Sequence, residues 1–378
     1  MPTHAHSQGY SDITFLIPQL VAGVQYSKGP YFADEADFST AGARNITYAT
    51  SLDRTLLRVE TGTFGFGRVF AAASPKIGNG TVLAAFESST NAGPCTVPDS
   101  YKKLNGVLRY ARGDTVNAFS LTAMGYHGEW NATEASPQRA IDSGLIDRFG
   151  SIDQTDGGHT SRYSVGGEWQ HATGATLTKI QGYGLGYDLN LITNLTLYLD
   201  DPEHGDQREQ VDHRFVSGLR AFQKRQSRWG TRPVENTFGV QFRNDNIMQV
   251  GLFHTEKRVR LQTWNDASAL VTSVGVYGEN QVEWARRIRT SVGLRADGSR
   301  YDVTNKSDPR NGGTATAGII SPKATVTLGP WRSTEFYVNA GTGFHSNSAL
   351  GTTLNYDVNG NPVEPVTPLV RAKGAEIG

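Results

Sequence analysis

A period of two in the placement of apolar residues constrains this chain more than any other feature. Apolar and polar side chains alternate through 116–128, 188–199, 290–296, 323–329 and 336–341, and the leucines of the second stretch share one face. Successive side chains of a strand point to opposite faces, so this alternation predicts strands with one apolar face. The longer stretches exceed the usual length of a soluble strand and suit a tilted strand that crosses a membrane. We therefore expect an all-β chain whose apolar faces meet lipid.

The connections between these stretches alternate in length. Short turns are expected near 75–80, 112–115, 171–174, 229–233, 284–286 and 329–332. Longer polar loops are expected between them, near 89–102, 128–160, 200–210, 247–267, 303–317 and 346–369, with 61–66 as a brief exception. A soluble sandwich has no reason to sort its loops by length. Tight turns at one end and long loops at the other predict a transmembrane antiparallel β-barrel.

The tryptophans follow the same division. Trp169, Trp229, Trp284 and Trp331 lie at or beside predicted short turns, while Trp130 and Trp264 lie in long connections near strand ends. Aromatic residues collect at the two interfaces of a membrane. Although tryptophan can cluster near turns for other reasons, this placement favours two aromatic belts.

Counting the connections predicts thirteen complete strands, with a fourteenth beginning at 370–378 (VRAKGAEIG). In the thirteenth, Phe336, Val338 and Ala340 are expected to face lipid, and residues 345–347 to open an outer loop. The numerous polar faces predict a wide barrel. Unpaired strand edges in lipid would be prohibitively costly, so further strands are expected beyond the C-terminus.

The totals exclude several classes of protein. With 36 basic and 36 acidic residues the formal net charge is zero, which gives no reason to expect nucleic acid as a partner. Cys95 is the only cysteine, so an intramolecular disulfide framework or a cysteine-based zinc site is excluded. No apolar run reaches the length of a transmembrane helix. The most apolar stretch, 15–24, follows a segment without Lys or Arg and is not a usable signal peptide.

Two blocks near the C-terminus, 341–347 (GTGFHSN) and 368–378 (PLVRAKGAEIG), closely resemble the barrel of TonB-dependent outer-membrane receptors. At the other end, 21–49 resembles the end of that family's plug domain and the entry to its first strand, and KGP at 28–30 matches the plug's (R/K)GP element. Barrel segments of the family are also similar to 199–214 and 273–284.

The resemblance implies an intact protein with a signal peptide, a TonB box, a plug of well over a hundred residues and a barrel of 22 strands. This chain is accordingly expected to be a fragment truncated at both ends, with Met1 an internal methionine. Residues 1–45 would be the C-terminal part of the plug, and residues 46–378 an incomplete transmembrane β-barrel.

The same resemblance implies a transporter of the bacterial outer membrane rather than an enzyme, without a cofactor. It would take up a scarce ligand, an iron–siderophore complex or another metal chelate, with energy from the TonB–ExbB–ExbD complex. Outer-membrane lipid and lipopolysaccharide would surround it, and nucleic acid is not expected as a partner. Iron chelates are the commonest cargo of the family, while cobalamin and glycans are alternatives.

Candidate ligand contacts fall at the N-terminus. His4 and His6 lie two apart, on one side of an extended segment, with Gln8 and Tyr10 nearby. Paired imidazoles can hold a metal or a metal chelate. The resemblance places this stretch in the plug, where loops meet ligand. An ordinary polar plug loop is the alternative.

Four further residues complete the candidate set. Tyr31 and Phe32 could stack on a ligand or pack against the barrel wall. Arg295 could attract an anionic ligand or pair with plug carboxylates, of which the candidates are Asp34, Glu35 and Asp37. His345 is a candidate for the ligand mouth, with loop anchoring as the alternative.

Two other classes of function remain open at this point. A passive porin-like or structural barrel could use the N-terminal residues only to constrict its pore. An outer-membrane enzyme would need a Ser/His/acid set at the rim, and no such set stands out in the sequence. The acidic run 200–206 lacks the regular ligand spacing of a calcium loop and is better explained as a solvated loop.

Overall fold

A computed structural model describes residues 12–134 and 136–378, so His4, His6, Gln8 and Tyr10 lie outside the described residues. The strands are β1 Val21–Lys28, β2 Gly42–Tyr48, β3 Leu56–Thr61, β4 Gly67–Ala73, β5 Lys76–Ile77, β6 Gly80–Asn91, β7 Tyr101–Gly113, β8 Asn117–Asn131, β9 Gly157–Thr173, β10 Thr176–Thr193, β11 Arg208–Trp229, β12 Arg232–Glu256, β13 Val259–Ala285, β14 Ile288–Asn305, β15 Gly313–Trp331, β16 Thr334–Ser346 and β17 Leu369–Ile377. Two short α-helices lie in loops, α1 Gln138–Asp142 and α2 Ala349–Thr352, and 3-10 turns occupy Pro18–Leu20 and Pro309–Asn311. Within these ranges, none of the helices is both long and apolar enough to cross a membrane.

The strands form two sheets. β1 pairs with β2, and β3 to β17 form one large antiparallel sheet in which strands follow one another in sequence order. The short β5 pairs only with β6, which also pairs with β4. If β4 and β5 count as one interrupted crossing, β16 is the thirteenth crossing and β17 the fourteenth, as predicted. Over the described residues, β3 and β17 are the two open edges of the sheet.

The predicted short turns are confirmed, but one predicted long loop is wrong. Residues 247–267 are not a loop, because β12 continues to Glu256 and β13 begins at Val259. The hairpin turns at Lys257 and Arg258, whose φ angles are 49° and 68°. Two successive positive φ angles are typical of a type I′ turn, normally signalled by Asn-Gly or Asp-Gly. Neither residue carries that signal, so the sequence pattern missed the turn.

The two faces of the large sheet differ as the alternation predicts. Phe336 and Val338 of β16 are about half exposed, whereas Gly341 lies against the N-terminal residues. We call the face that carries the N-terminal residues the covered face, and the opposite one the open face. The tryptophans beside the short turns, Trp169, Trp229, Trp284 and Trp331, are 38–62% exposed. This agrees with the predicted aromatic belt at that edge.

The leucine-rich stretch 188–199 does not form the lipid-facing strand that its pattern suggests. β10 ends at Thr193, and Leu195 and Leu199 lie exposed in the following loop. Leu189 is buried on the covered face, in a cluster with Leu185, Tyr187 and Val216. Alternation identifies two faces of a strand but does not say which one turns outward.

The residues before β1 pack on the early strands of the covered face. Ile17 and Leu20 are fully buried in a cluster with Phe70, Ala72, Leu83 and Val107. Asn105 donates its side-chain amide to the carbonyl oxygen of Phe15 at 2.5 Å. The guanidinium of Arg162 lies 4.4 Å from the centre of the Phe15 ring. The N-terminal residues therefore dock on β4 to β9 at one side of the sheet.

Candidate functional site

The loop between β1 and β2, residues 29–41, crosses the other side of the covered face. Its first residue, Gly29, has a φ of 71°, and a Cβ there would lie 2.3 Å from the ring of Tyr31. Gly42, just after the loop, has a φ of 137°. The Gly29 amide donates to Ala41, and the Gly42 amide donates to Ser39. Glycine at both ends therefore lets the chain leave and rejoin the small sheet tightly.

Two arginines hold the middle of this loop against the covered face of the large sheet, which we also call the wall. Arg220 of β11 pairs with Asp34 at 2.6 Å. Arg295 of β14 pairs with Asp297 on its own strand at 2.6 Å, and donates to the carbonyl oxygen of Ala33 at 3.4 Å. The predicted alternative for Arg295, a pairing with a loop carboxylate, is therefore wrong. The loop carboxylate of Asp34 pairs instead with Arg220, because the register of β11 brings Arg220 close to it.

The apex of the loop is attached to the end of β16. The carboxylate of Asp37 accepts hydrogen bonds from the backbone N–H of Ser346, at 2.7 Å, and from the Ser346 hydroxyl. Burial raises the pKa of Asp37, and the bonds from Ser346 oppose that rise. The buried Asp37 carboxylate is therefore stabilised by hydrogen bonds from Ser346 of β16.

Beside this bond, an aromatic ring of the loop meets His345. Phe38 has a φ of 62°, which is unfavourable for a residue with a bulky side chain, and its ring centre lies 6.2 Å from that of His345. Phe38 remains 41% exposed. His345 belongs to β16, opposite Val370 of β17, so the expectation that it opens a loop is wrong.

Buried charges form a second feature of the covered face. Arg214 and Asp212 of β11 pair with both side chains fully buried, and Arg214 lies 3.7 Å from Asp245 of β12. Arg243 also pairs with Asp245, at 2.6 Å. Charges this deeply buried persist only when they are paired and hydrogen-bonded.

Sequence reasoning overlooked a simple signal for these pairs. Opposite charges two residues apart on a strand share a face, and this spacing occurs at Asp212/Arg214, Arg243/Asp245, Arg295/Asp297 and Arg300/Asp302. The first three pairs are largely buried on the covered face, while Arg300 is 61% exposed. The spacing predicts the pairs, and the fold decides which are buried.

The long loops at the opposite edge from the short turns are joined to one another. Gln207 donates its side-chain amide to Asp153 and Asp156, each at 3.1 Å. Arg258, at the tip of the β12–β13 hairpin, donates to the carbonyl oxygen of Thr155 at 2.6 Å. Burial, and secondarily the charge of Asp153, raises the pKa of Asp156 to about 7.

The acidic run 200–206 shapes its own loop. The carboxylate of Asp206 accepts backbone N–H groups of Leu199, Asp200 and Asp201 at 2.8–3.2 Å. Burial would raise the pKa of Asp206, but these hydrogen bonds outweigh it and hold the pKa below its usual range. In the part of the chain that the structure describes, no group of three or more His, Cys, Asp or Glu is arranged to hold a metal ion.

The structure brings four of the predicted ligand residues together at the β1–β2 loop. Tyr31 is buried against the wall, Phe32 is 40% exposed, and Arg295 is buried beside Ala33. His345 lies beside Phe38 at the apex. Phe38 was absent from the predicted set, because no sequence signal marks a phenylalanine with a positive φ. The site offers exposed aromatic rings beside a loop held by charges.

A large antiparallel sheet with short turns at one edge, long loops at the other and an N-terminal segment across one face is typical of the outer-membrane β-barrel class of protein. A sequence model of the family described as TonB dependent receptor-like, beta-barrel matches residues 91–377. The chain therefore belongs to the TonB-dependent receptors, a family of transporters.

Solved structures of such receptors share the fold. The ferric citrate transporter FecA in its unliganded form is 12% identical with a TM-score of 0.77, over 99% of this chain and 56% of that one. The siderophore receptor PiuA from Acinetobacter baumannii is 15% identical with a TM-score of 0.76, over 95% and 59%. BauA, the ferric preacinetobactin receptor from the same organism, is 8% identical with a TM-score of 0.74, over 95% and 57%. The chain thus spans a little more than half the length of these structures. No curated protein sequence matches it.

Proposed function

We propose that this protein takes up a metal chelate, in particular an iron–siderophore complex, across the bacterial outer membrane with energy supplied through TonB–ExbB–ExbD. The observation that carries the proposal is the loop 29–41, which lies across the covered face and is attached to it at Asp34 and Asp37. A passive pore needs an open lumen, whereas a plugged one needs external work. Of the solved receptors named above, which have the same fold, FecA is named a ferric citrate transporter, PiuA a siderophore receptor and BauA a ferric preacinetobactin receptor.

The domain division belongs to the same proposal. Residues 1–45 are assigned to the plug and 46–378 to the barrel, with outer-membrane lipid and lipopolysaccharide around the open face. The small sheet extends to Tyr48, three residues past this proposed division, and residues 49–55 connect it to the large sheet, which begins at Leu56. The exposed apolar residues of the open face support its contact with lipid.

We assign ligand contact to the exposed aromatic residues of the loop and its apex. Phe32 and Phe38 are each about 40% exposed, and His345 is partly buried beside Phe38. Aromatic rings bind large, partly apolar ligands well because they bury much area at little entropic cost. Tyr31 and Arg295 are assigned to holding the loop. His4, His6, Gln8 and Tyr10 remain predicted contacts.

The attachments of the loop are individually modest, which suits a segment that must move. Arg220 and Asp34 are 30% and 43% exposed, and an ion pair of that kind contributes about 0–1 kcal/mol. A hydrogen bond to the loop contributes on the order of 1 kcal/mol, or about 1.5–3 kcal/mol where one partner is charged. A pulling force could release such contacts one after another without unfolding the sheet.

The proposal is tested by uptake of radioactive ferric citrate and of a ferric catecholate. The full-length receptor is produced in cells that lack their own ferric receptors, with and without functional TonB. We expect saturable uptake of at least one chelate only when TonB works. Uptake that is equal without TonB would favour the passive barrel, and no uptake of either chelate would contradict the ferric-chelate assignment.

A further inference from the structure

Five residues of the covered face form one transverse row across β13 to β17. The strand register places Glu279 opposite Gly293, Gly293 opposite Lys323, Lys323 opposite Gly341, and Gly341 opposite Gly374. Three of these five residues are glycines, so most of the row is bare backbone. Such a row offers a flat surface to a second chain segment.

The loop 29–41 lies directly on this row. A Cβ at Gly341 would lie 2.5 Å from the carbonyl oxygen of Pro30, and one at Gly374 would lie 2.9 Å from Cδ of the same proline. A Cβ at Gly293 would lie 2.9 Å from Cβ of Ala33. Real Cβ atoms do not approach other heavy atoms so closely without displacement. The absent side chains are therefore what allows the loop to seat.

Gly343, two residues further along β16, extends the surface. A Cβ there would lie 2.9 Å from Cβ of Pro30. Pro30 thus meets three wall glycines at different atoms: its carbonyl oxygen at Gly341, its Cβ at Gly343 and its ring at Gly374. Since the ring of proline restricts its φ, this contact seats a rigid part of the loop.

A buried cation closes the same contact. Lys323 is 4% exposed, and its ammonium donates to the carbonyl oxygen of Pro30 at 2.9 Å and to that of Thr342 at 3.0 Å. At the β13 end of the row, the Glu279 carboxylate accepts the backbone N–H of Ala33 at 3.5 Å. Two side chains of the row thus form hydrogen bonds with the loop backbone, Lys323 at Pro30 and Glu279 at Ala33.

We propose that Gly341, Gly343, Gly374 and Lys323 form a latch that seats Pro30 and keeps the pore closed in the resting receptor. This inference rests on the proposed function, because closure has meaning only for a plugged pore. Lys323 is a positioning residue in this scheme. The glycines act by leaving room, and release of Pro30 from them is the opening step.

The test uses selective rescue in the purified full-length receptor, measured as conductance across planar lipid bilayers without any chelate. Gly374→Ala is expected to raise the open fraction roughly tenfold, because its Cβ collides with the proline ring. Pro30→Ala removes Cγ and Cδ, so Gly374→Ala with Pro30→Ala should return to the open fraction of Pro30→Ala alone. In Gly341→Ala the new Cβ collides with the Pro30 carbonyl oxygen, which Pro30→Ala retains. The pore of this variant should therefore stay open whether residue 30 is proline or alanine.

One control and one further test variant keep the result interpretable if a glycine variant does not fold. Gly298→Ala, on β14, meets nothing within 4 Å and should remain closed. Lys323→Met keeps the stem but removes the donors, and should open the pore without changing any glycine. The latch is disproved if folded Gly374→Ala and Lys323→Met both stay closed, or if Pro30→Ala rescues both glycine variants equally.

Chelate uptake by the same variants separates this result from the proposed function. TonB-dependent uptake with no variant-induced conductance would retain the receptor and reject the latch. Conductance with the rescue pattern above, but without TonB-dependent uptake by the unchanged protein, would retain the latch and reject the transport assignment.

Discussion

The ammonium of Lys323 lies 2.9 Å from the carbonyl oxygen of Pro30, although 293 positions separate the two residues along the chain. This hydrogen bond links the loop 29–41 of the small sheet to β15, the twelfth crossing of the large sheet. Around it, the loop 29–41 is attached to β11, β13, β14 and β16 by other side chains. These contacts hold the loop against the large sheet, and the proposed opening would have to break them.

The fully buried pair of Arg214 and Asp212 should be essential for stability. Arg214→Met removes a guanidinium from two carboxylates that are 0% and 2% exposed, Asp212 and Asp245. Removal of one partner of a buried pair typically costs about 3–5 kcal/mol. We expect a large fall in the thermal unfolding midpoint of the detergent-solubilised receptor.

Arg300→Met is the matched control, because Arg300 pairs with Asp302 at the same spacing but is 61% exposed. That variant should change stability by less than about 1 kcal/mol. Equal losses would show that burial of the pair is not what matters.

The apex of the loop should loosen when Ser346 loses its hydroxyl. Ser346→Ala removes the hydroxyl that donates to Asp37 and leaves the backbone N–H of the same residue in place. A lost hydrogen bond to a carboxylate costs about 1.5–3 kcal/mol, or about 10- to 150-fold faster local opening. Hydrogen exchange of residues 34–40 measures this directly. Ser348→Ala is the control, because the Ser348 side chain makes no capping bond to α2. An unchanged exchange rate in Ser346→Ala would show that the loop is held elsewhere.

Phe38 should contribute to chelate binding. Phe38→Ala removes an exposed ring beside His345, and we expect roughly tenfold weaker binding of ferric citrate or a ferric catecholate, whichever the receptor takes up. Phe38→Gly should bind equally weakly while relieving the φ of 62°. Phe64→Ala is a matched control, since Phe64 also has a positive φ and is 57% exposed in another loop. Isothermal titration with the purified receptor would measure all three. If Phe38→Ala binds as tightly as the unchanged protein, the aromatic assignment fails.

The loop network around Asp156 should make stability depend on pH. The folded-state pKa of about 7 exceeds the ordinary value of 3.8, so the folded state holds this proton more tightly than the unfolded state does. The stabilisation that Asp156 gives when protonated is therefore complete below about pH 4, declines as the pH rises, and is lost above about pH 7. Asp156→Asn mimics the protonated form. We expect the two proteins to unfold at similar temperatures at pH 4, and Asp156→Asn to unfold at the higher temperature at pH 8. The same difference at both pH values would refute a raised pKa.

The paired histidines at the N-terminus have their own test. Simultaneous His4→Ala and His6→Ala substitution should weaken chelate binding by the full-length receptor, because two imidazoles that contact a bound metal chelate would be lost. Replacing each histidine by glutamine keeps a polar side chain but removes the imidazole. This variant therefore separates the loss of metal contact from the loss of a polar group. Unchanged affinity in the alanine variant would remove both histidines from the site.

The sequence determined the crossings of the large sheet, their number, most of their faces and the turns at one edge. These features follow from alternation and from turn residues, which are local properties of a short stretch. The same local rules mistook the β12–β13 hairpin for a loop, because Lys257 and Arg258 carry no turn signal, and they could not say that Leu189 faces the covered side.

The pairings across the molecule were decided only by the tertiary structure. The loop carboxylate of Asp34 could have met several arginines, and the register of the sheet selects Arg220. Likewise, Gly341 and Gly374 are unremarkable glycines in sequence, and they become a seat for Pro30 only when β16 and β17 pair at one particular register. Register relates strands to one another rather than residues to their neighbours, so no single stretch of sequence contains it.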